Sequence, residues 1–217
     1  MSSNYLHLIP NIRVNVKLKT SFDNGAFLRF FVAMKSYAPP DALRAARALL
    51  RLSQRDLSEK INFSRQSIST AENDASAPLP TVAEMRKFYE EKGLQFLGTL
   101  DIGTGEILGA GVRWRHPEPF PPEQDSALQF HSERYGTSFY AARSLLGINR
   151  ATIVATAKLS LKDLAALETG KLASTEEFQQ LRSFFIEAGV EFLGLGDVST
   201  GAYYGVGVRW AAGRKSS

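Results

Sequence analysis

The chain has 217 residues, 44% of them hydrophobic and 22% charged, and carries a formal net charge of +4. This is the composition of a soluble globular protein with room for two small domains. No apolar run approaches the roughly 20 residues needed to span a bilayer. The absence of cysteine excludes disulfides, thiolate nucleophiles and the usual zinc frameworks, and fits a cytoplasmic location.

Residues 1–37 read as an N-terminal extension, disordered or a short strand: Asn11 to Lys19 alternates apolar and basic residues, and Met34-Lys35 is a plausible alternative start. Pro39-Pro40-Asp41 signals a helix start, with Asp41 as the expected cap, and Leu43, Ala46, Leu49 and Leu50 recur at helical spacing. Ser53 caps a second helix from Gln54 to about Ile61. Ser64 caps a third, Arg65 to about Asn73, and a fourth runs from about Thr81 to Lys92 and stops at Gly93. Leu94 to Leu100, a Gly-rich turn, and Glu106 to Arg115 then predict a β-hairpin.

The same order returns 96 residues later. Ala45-Ala46-Arg47 reappears as Ala141-Ala142-Arg143, Gly93 to Gly98 as Gly189 to Gly194, and Gly111-Val112-Arg113-Trp114 as Gly207-Val208-Arg209-Trp210. An ungapped offset of that length predicts one folding unit present twice. The expected organisation is a first domain over 38–115, a Pro-rich linker over 116–135 able to extend as a spacer, a second domain over 136–211 and a tail over 212–217. The expected fold is mainly α with small β: two tandem domains of four helices and a C-terminal hairpin each. Isolated hairpins are marginal in water, so the two hairpins are expected to cover each other as an intrachain pseudo-dimer, or to pair with those of a second chain.

Positive charge gathers on the front half of each copy. Arg44 to Arg65 holds six basic and two acidic residues, and Tyr140 to Leu161 holds Arg143, Arg150 and Lys158 with no acid. Within Leu52 to Asn73, Ser53-Gln54 opens the second helix, Ser64-Arg65 the third, an Ile68-Ser69 step follows, and Glu72-Asn73 closes it. This stretch resembles the Xre family, the Cro and phage-repressor type of helix-turn-helix regulator, although a hairpin end departs from that family's all-helical one. Single-copy bacterial regulators ending in a Gly-Val-Glu-Phe-Leu hairpin look similar.

The resemblance implies that the helix over 65–73 enters the major groove of double-stranded DNA at an operator or promoter. Arg65 would reach guanine, Gln66 adenine and Thr70 a base or a thymine methyl. Ser64, Ser67 and Gln54 would hold phosphates. It also implies structural ion pairs Arg47–Glu72 and Arg143–Glu168. Leu57, Ile61, Phe63, Ile68 and Ala71 are core by spacing.

In the second copy Arg65-Gln66-Ser67 becomes Leu161-Lys162-Asp163 and Gln54 becomes Arg150. Arg150, Ser160 and Lys162 are left as backbone contacts that do not read sequence. The expected function is a sequence-specific transcriptional regulator whose second copy supplies pseudo-dimerisation and weaker contact. The alternative is a protein-interaction module of antitoxin or anti-activator type, with another protein held by the second copy. The glycines of 103–111 precede a strand rather than a helix, so they do not make a phosphate loop. His7, His116 and His131 have no catalytic partner at suitable spacing. No enzyme activity, metal, cofactor or membrane partner is expected.

Overall fold

The computed structural model describes residues 37–101, 103–123, 127–171 and 174–214. The expectations for residues 1–36 lie outside these. Eight helices and five strands occur among the described residues, all within the unit Lys35–Ser217. In order they are α1 (Pro40–Leu49), α2 (Gln54–Ile61), α3 (Arg65–Asn73), α4 (Leu79–Glu91), β1 (Leu94–Leu100), β2 (Ile107–Trp114), β3 (Ser132–Glu133), α5 (Phe139–Leu146), α6 (Arg150–Ala157), α7 (Leu161–Glu168), α8 (Thr175–Glu187), β4 (Val190–Gly196) and β5 (Tyr203–Trp210).

Local chemistry sets most of these boundaries. Ser53, Ser64, Asn149, Ser160 and Ser174 each accept a backbone N–H from the first turn of the helix they precede. The turn between α2 and α3 passes through Asn62 at φ 56°, and the matching turn through Lys158 at φ 52°. One start differs from expectation. Asp41 is not the cap of α1: Pro39 occupies that position, and the Asp41 carboxylate lies buried in the first turn. It accepts the indole N–H of Trp210 at 2.6 Å, which joins the first helix to the last strand.

The strands form one antiparallel sheet. β1 pairs with β2, β2 with β5, and β5 with β4, while β3 lies on β5 beyond the end of the β2 contact. The β2–β5 register is short: Gly111 faces Arg209, Val112 faces Val208, and Arg113 faces Gly207. Glycine is required there by close approach. A Cβ on Gly111 would sit 2.3 Å from the Val208 carbonyl oxygen, and one on Gly207 would sit 2.3 Å from that of Val112.

A single core runs through both sets of helices. Leu43, Leu57, Ile68, Met85 and Tyr89 fill one side, and Leu145, Ile153, Leu164, Leu181 and Phe185 the other. Between them α1 packs on α5. Ala45, Ala46, Ala48, Ala141 and Ala142 are fully buried, and their small side chains let the two helix backbones approach closely. Of the residues assigned to the core by spacing, Leu57, Ile68 and Ala71 are buried, while Ile61 and Phe63 are half-buried against it.

The proline-rich stretch after β2 is not an open spacer. The His131 ring stacks on Trp114 at 3.7 Å between centroids, Phe120 meets Tyr204 edge-on, and Ser132–Glu133 adds to β5. Aromatic burial and ladder hydrogen bonds hold this segment on the sheet.

Candidate nucleic-acid interface

The α2–turn–α3 unit is built around one buried acid. Glu72 closes α3 with 1% of its side chain exposed. Its Oε1 accepts Arg47 Nε at 2.6 Å, and its Oε2 accepts Arg47 Nη2 and Gln54 Nε2, both at 2.8 Å. Arg47 also donates to the Leu52 carbonyl at 3.0 Å. The three helices α1, α2 and α3 are thereby tied at a single carboxylate. Burial alone would lower the Arg47 pKa, but the hydrogen bonds and charge of Glu72 outweigh it and raise it. Burial also pushes the Tyr89 hydroxyl well up, and the charge of Glu72 adds to this.

The opposite face of α3 is open. Ser64, Arg65 and Gln66 are exposed, and Ser67 and Thr70 half-buried. Arg65 and Gln66 therefore project from the first turn of a helix whose other side, Ile68, Ala71 and Glu72, is buried. The hydroxyls at the tip serve the helix itself. Ser64 Oγ accepts Ser67 N–H at 3.0 Å and lies 2.8 Å from Ser67 Oγ. Gln54 differs from a free phosphate clamp in that its amide nitrogen is directed at Glu72, which leaves its oxygen uncommitted in that bond.

Around α6 and α7 the frame is the same and the tip is not. Glu168, again 1% exposed, accepts Arg143 Nε through Oε1, while its Oε2 takes Arg150 Nε at 2.8 Å and Nη2 at 2.7 Å. Arg150 is thus held by the carboxylate, with 45% of its side chain exposed. Ser160 caps α7 and donates its hydroxyl to Asp163. Leu161 stands 58% exposed where Arg65 stands on α3, and Lys162 is exposed beside it.

Several groups escaped the reading of the sequence. Arg44 and Arg51, counted there only as basic residues, make long-range hydrogen bonds to backbone carbonyls near 144 and 168, and Asp41 is buried rather than capping. For Asp41 and Arg44 the usable signal was a charge beside Ala45 and Ala48 on a helix that buries most of its surface, whereas Arg51 lies beyond the end of α1 and carried no such signal. A helix that buries such a surface must pair any charge on it.

Two helices bridged by a short turn, each burying one face and the second presenting a polar tip outward, define a helix-turn-helix domain, a class found in DNA-binding regulators. Residues 43–93 match a family model described as Helix-turn-helix, and this stretch of the chain is a helix-turn-helix domain. No curated protein and no solved structure matches the chain. Among the described residues no helix is long and apolar enough to cross a membrane, and no cluster of potential metal ligands occurs.

Proposed function

We propose that the chain is a sequence-specific DNA-binding transcriptional regulator that reads bases with α3. The observation that carries this reading is the exposed Arg65–Gln66 pair on a helix tip whose buried side is fixed by the Arg47–Glu72–Gln54 network. A forked guanidinium suits guanine O6 and N7, and an amide suits adenine N6 and N7. Ser64 and Ser67 lie at the N-terminal tip of α3, where the helix dipole favours a phosphate, and Thr70 lies one turn further on; the Gln54 amide, which donates to Glu72, is committed to the frame and not to a phosphate.

We read residues 38–115 and 136–211 as two tandem copies of one unit, held as an intrachain pseudo-dimer. Support comes from the sheet. Val112 pairs with Val208, its own counterpart 96 residues on, and Gly111↔Arg209 mirrors Arg113↔Gly207. An antiparallel pair between corresponding residues is what a local twofold produces. In this reading Arg150, Ser160 and Lys162 contribute backbone contact without sequence preference, because Leu161 offers a base no hydrogen bond.

The test is the double variant Arg65→Ala/Gln66→Ala, assayed against duplex selected by the parent protein from a random library. Binding should fall by a factor of about 30 or more with helical content unchanged, given about 1–3 kcal/mol for each of the two bidentate contacts. Retained affinity would refute base reading by α3. The exposed Leu161 favours a second reading, in which α7 faces a protein and the chain acts as an interaction module; regulation surviving the double variant would support it.

A further inference from the structure

The α1–α5 contact carries two guanidinium groups that reach across it to helix ends. Arg44 donates Nε to the Ser144 carbonyl at 2.9 Å and Nη2 to that of Leu145 at 3.3 Å, both in the last turn of α5, and Nη1 to the carbonyl of Glu72 in the last turn of α3. Arg51, in the turn after α1, donates Nη1 at 2.7 Å to the carbonyl of Glu168, the last residue of α7. The C-terminal end of α3 is therefore held by the half-buried Arg44 inside the contact between the two halves, and that of α7 by Arg51, which stands exposed at the edge of that contact. A cation at a helix C-terminus satisfies orphan carbonyls and complements the dipole.

The two anchors occupy corresponding places. Position 44 corresponds to 140 and position 51 to 147 at the 96-residue offset. Arg44 packs on Gly147, where a Cβ would stand 3.1 Å from its Nη2, and the Arg51 guanidinium lies 5.2 Å from the centroid of the Tyr140 ring. Both arginines come from the first half, and both spaces that receive them come from the second. Two copies of the first half brought together in this way would set guanidinium against guanidinium at each place; two copies of the second would bring none.

We infer that Arg44 and Arg51 are positioning residues that fix α3 and α7 relative to one another, and that this lock operates only between the unlike halves of the chain. They touch no base in the reading above; they set the spacing and angle at which the two helix tips meet DNA. The inference about spacing on DNA rests on the proposed function, whereas the lock itself does not.

The chain has no native cysteine, so Gln66→Cys/Lys162→Cys places one spin label on α3 and one on α7 of the full protein. Pulsed electron-spin measurements should give one narrow distance distribution. Adding Arg44→Ala or Arg51→Ala should at least double its width while helical circular dichroism is retained. A broad parent distribution, or an unchanged width in the folded variants, overturns the lock. Should an alanine variant unfold, Arg44→Lys decides: lysine keeps the charge but cannot reach three carbonyls, so broadening supports the inference and the parent width overturns it. On DNA, duplexes selected by the protein without label cysteines are cut back on the side that α7 covers, which removes the backbone that α7 would grip. That parent should lose affinity about tenfold on the altered duplexes, and Arg44→Ala should lose that preference. If no duplex is selected, the proposed function fails while the spin-label result stands.

Discussion

Removal of the Glu72 carboxylate is the sharpest test of how the domain is held. Glu72→Ala deletes three hydrogen bonds of 2.6–2.8 Å and leaves the Arg47 guanidinium, 15% exposed, with the Leu52 carbonyl as its remaining hydrogen-bond acceptor among the described residues. Breaking a buried pair by removing one partner costs about 3–5 kcal/mol, because the surviving charge stays desolvated. For a unit of this size each kcal/mol lowers Tm by about 2–4 °C, so a fall of roughly 6–20 °C is expected. Thermal and urea unfolding followed by circular dichroism measure it. The double variant Arg47→Met/Glu72→Leu removes both charges at similar volume and should recover most of the loss. A Glu72→Ala protein within about 1 kcal/mol of the parent, or a double variant as unstable as the single, would refute the argument. Gln54 is part of the outcome: without Glu72 it loses the acceptor that ties it to the frame, so DNA affinity should fall further than stability alone accounts for.

Three other expectations follow from the same physics. Gly207→Ala places a methyl group 2.3 Å from the Val112 carbonyl oxygen; it should cost on the order of 3 kcal/mol and speed amide exchange around Val112 and Val208, read by hydrogen-exchange mass spectrometry. Trp210→Phe should destabilise by about 1.5–3 kcal/mol more than Trp114→Phe in paired melts. The Trp210 indole donates to buried Asp41, whereas the Trp114 indole nitrogen is buried with no hydrogen-bond partner among the described residues. Hydrogen bonds from Ser199 Oγ, Thr200 Oγ1 and Ser199 N–H hold the Asp197 carboxyl below its ordinary value of 3.8. Its stabilisation is therefore complete above that value and lost as pH falls through the lower native one. Melts between about pH 5 and pH 2 should show Asp197→Asn losing less stability in acid than the parent.

The positions of helices and strands were open to sequence reasoning because their causes are local. Serines at 53 and 64 read as caps before helices, and they are. The glycine-flanked strands read as hairpins, and the exposed tip at Arg65–Gln66 follows from Ile68 and Ala71 marking the buried face of α3. The 96-residue offset, too, is visible without coordinates. What the sequence left undecided depends on which distant groups meet. Asp41 reads as a cap in any local window, and only the arrival of Trp210, 169 residues away, makes it a buried acceptor. Arg44 and Arg51 read as two more cations in a basic stretch; their meaning depends on the ends of α5, α3 and α7 lying within reach. Gln54 and Arg150 read as open donors until Glu72 and Glu168 are seen beside them. The proline-rich stretch reads as a spacer until Trp114 supplies a surface for His131. Periodicity and capping act over a few residues and are written in order along the chain. The choice of partner for a buried charge or an aromatic ring is made by packing across the whole unit, and only the tertiary structure decides it.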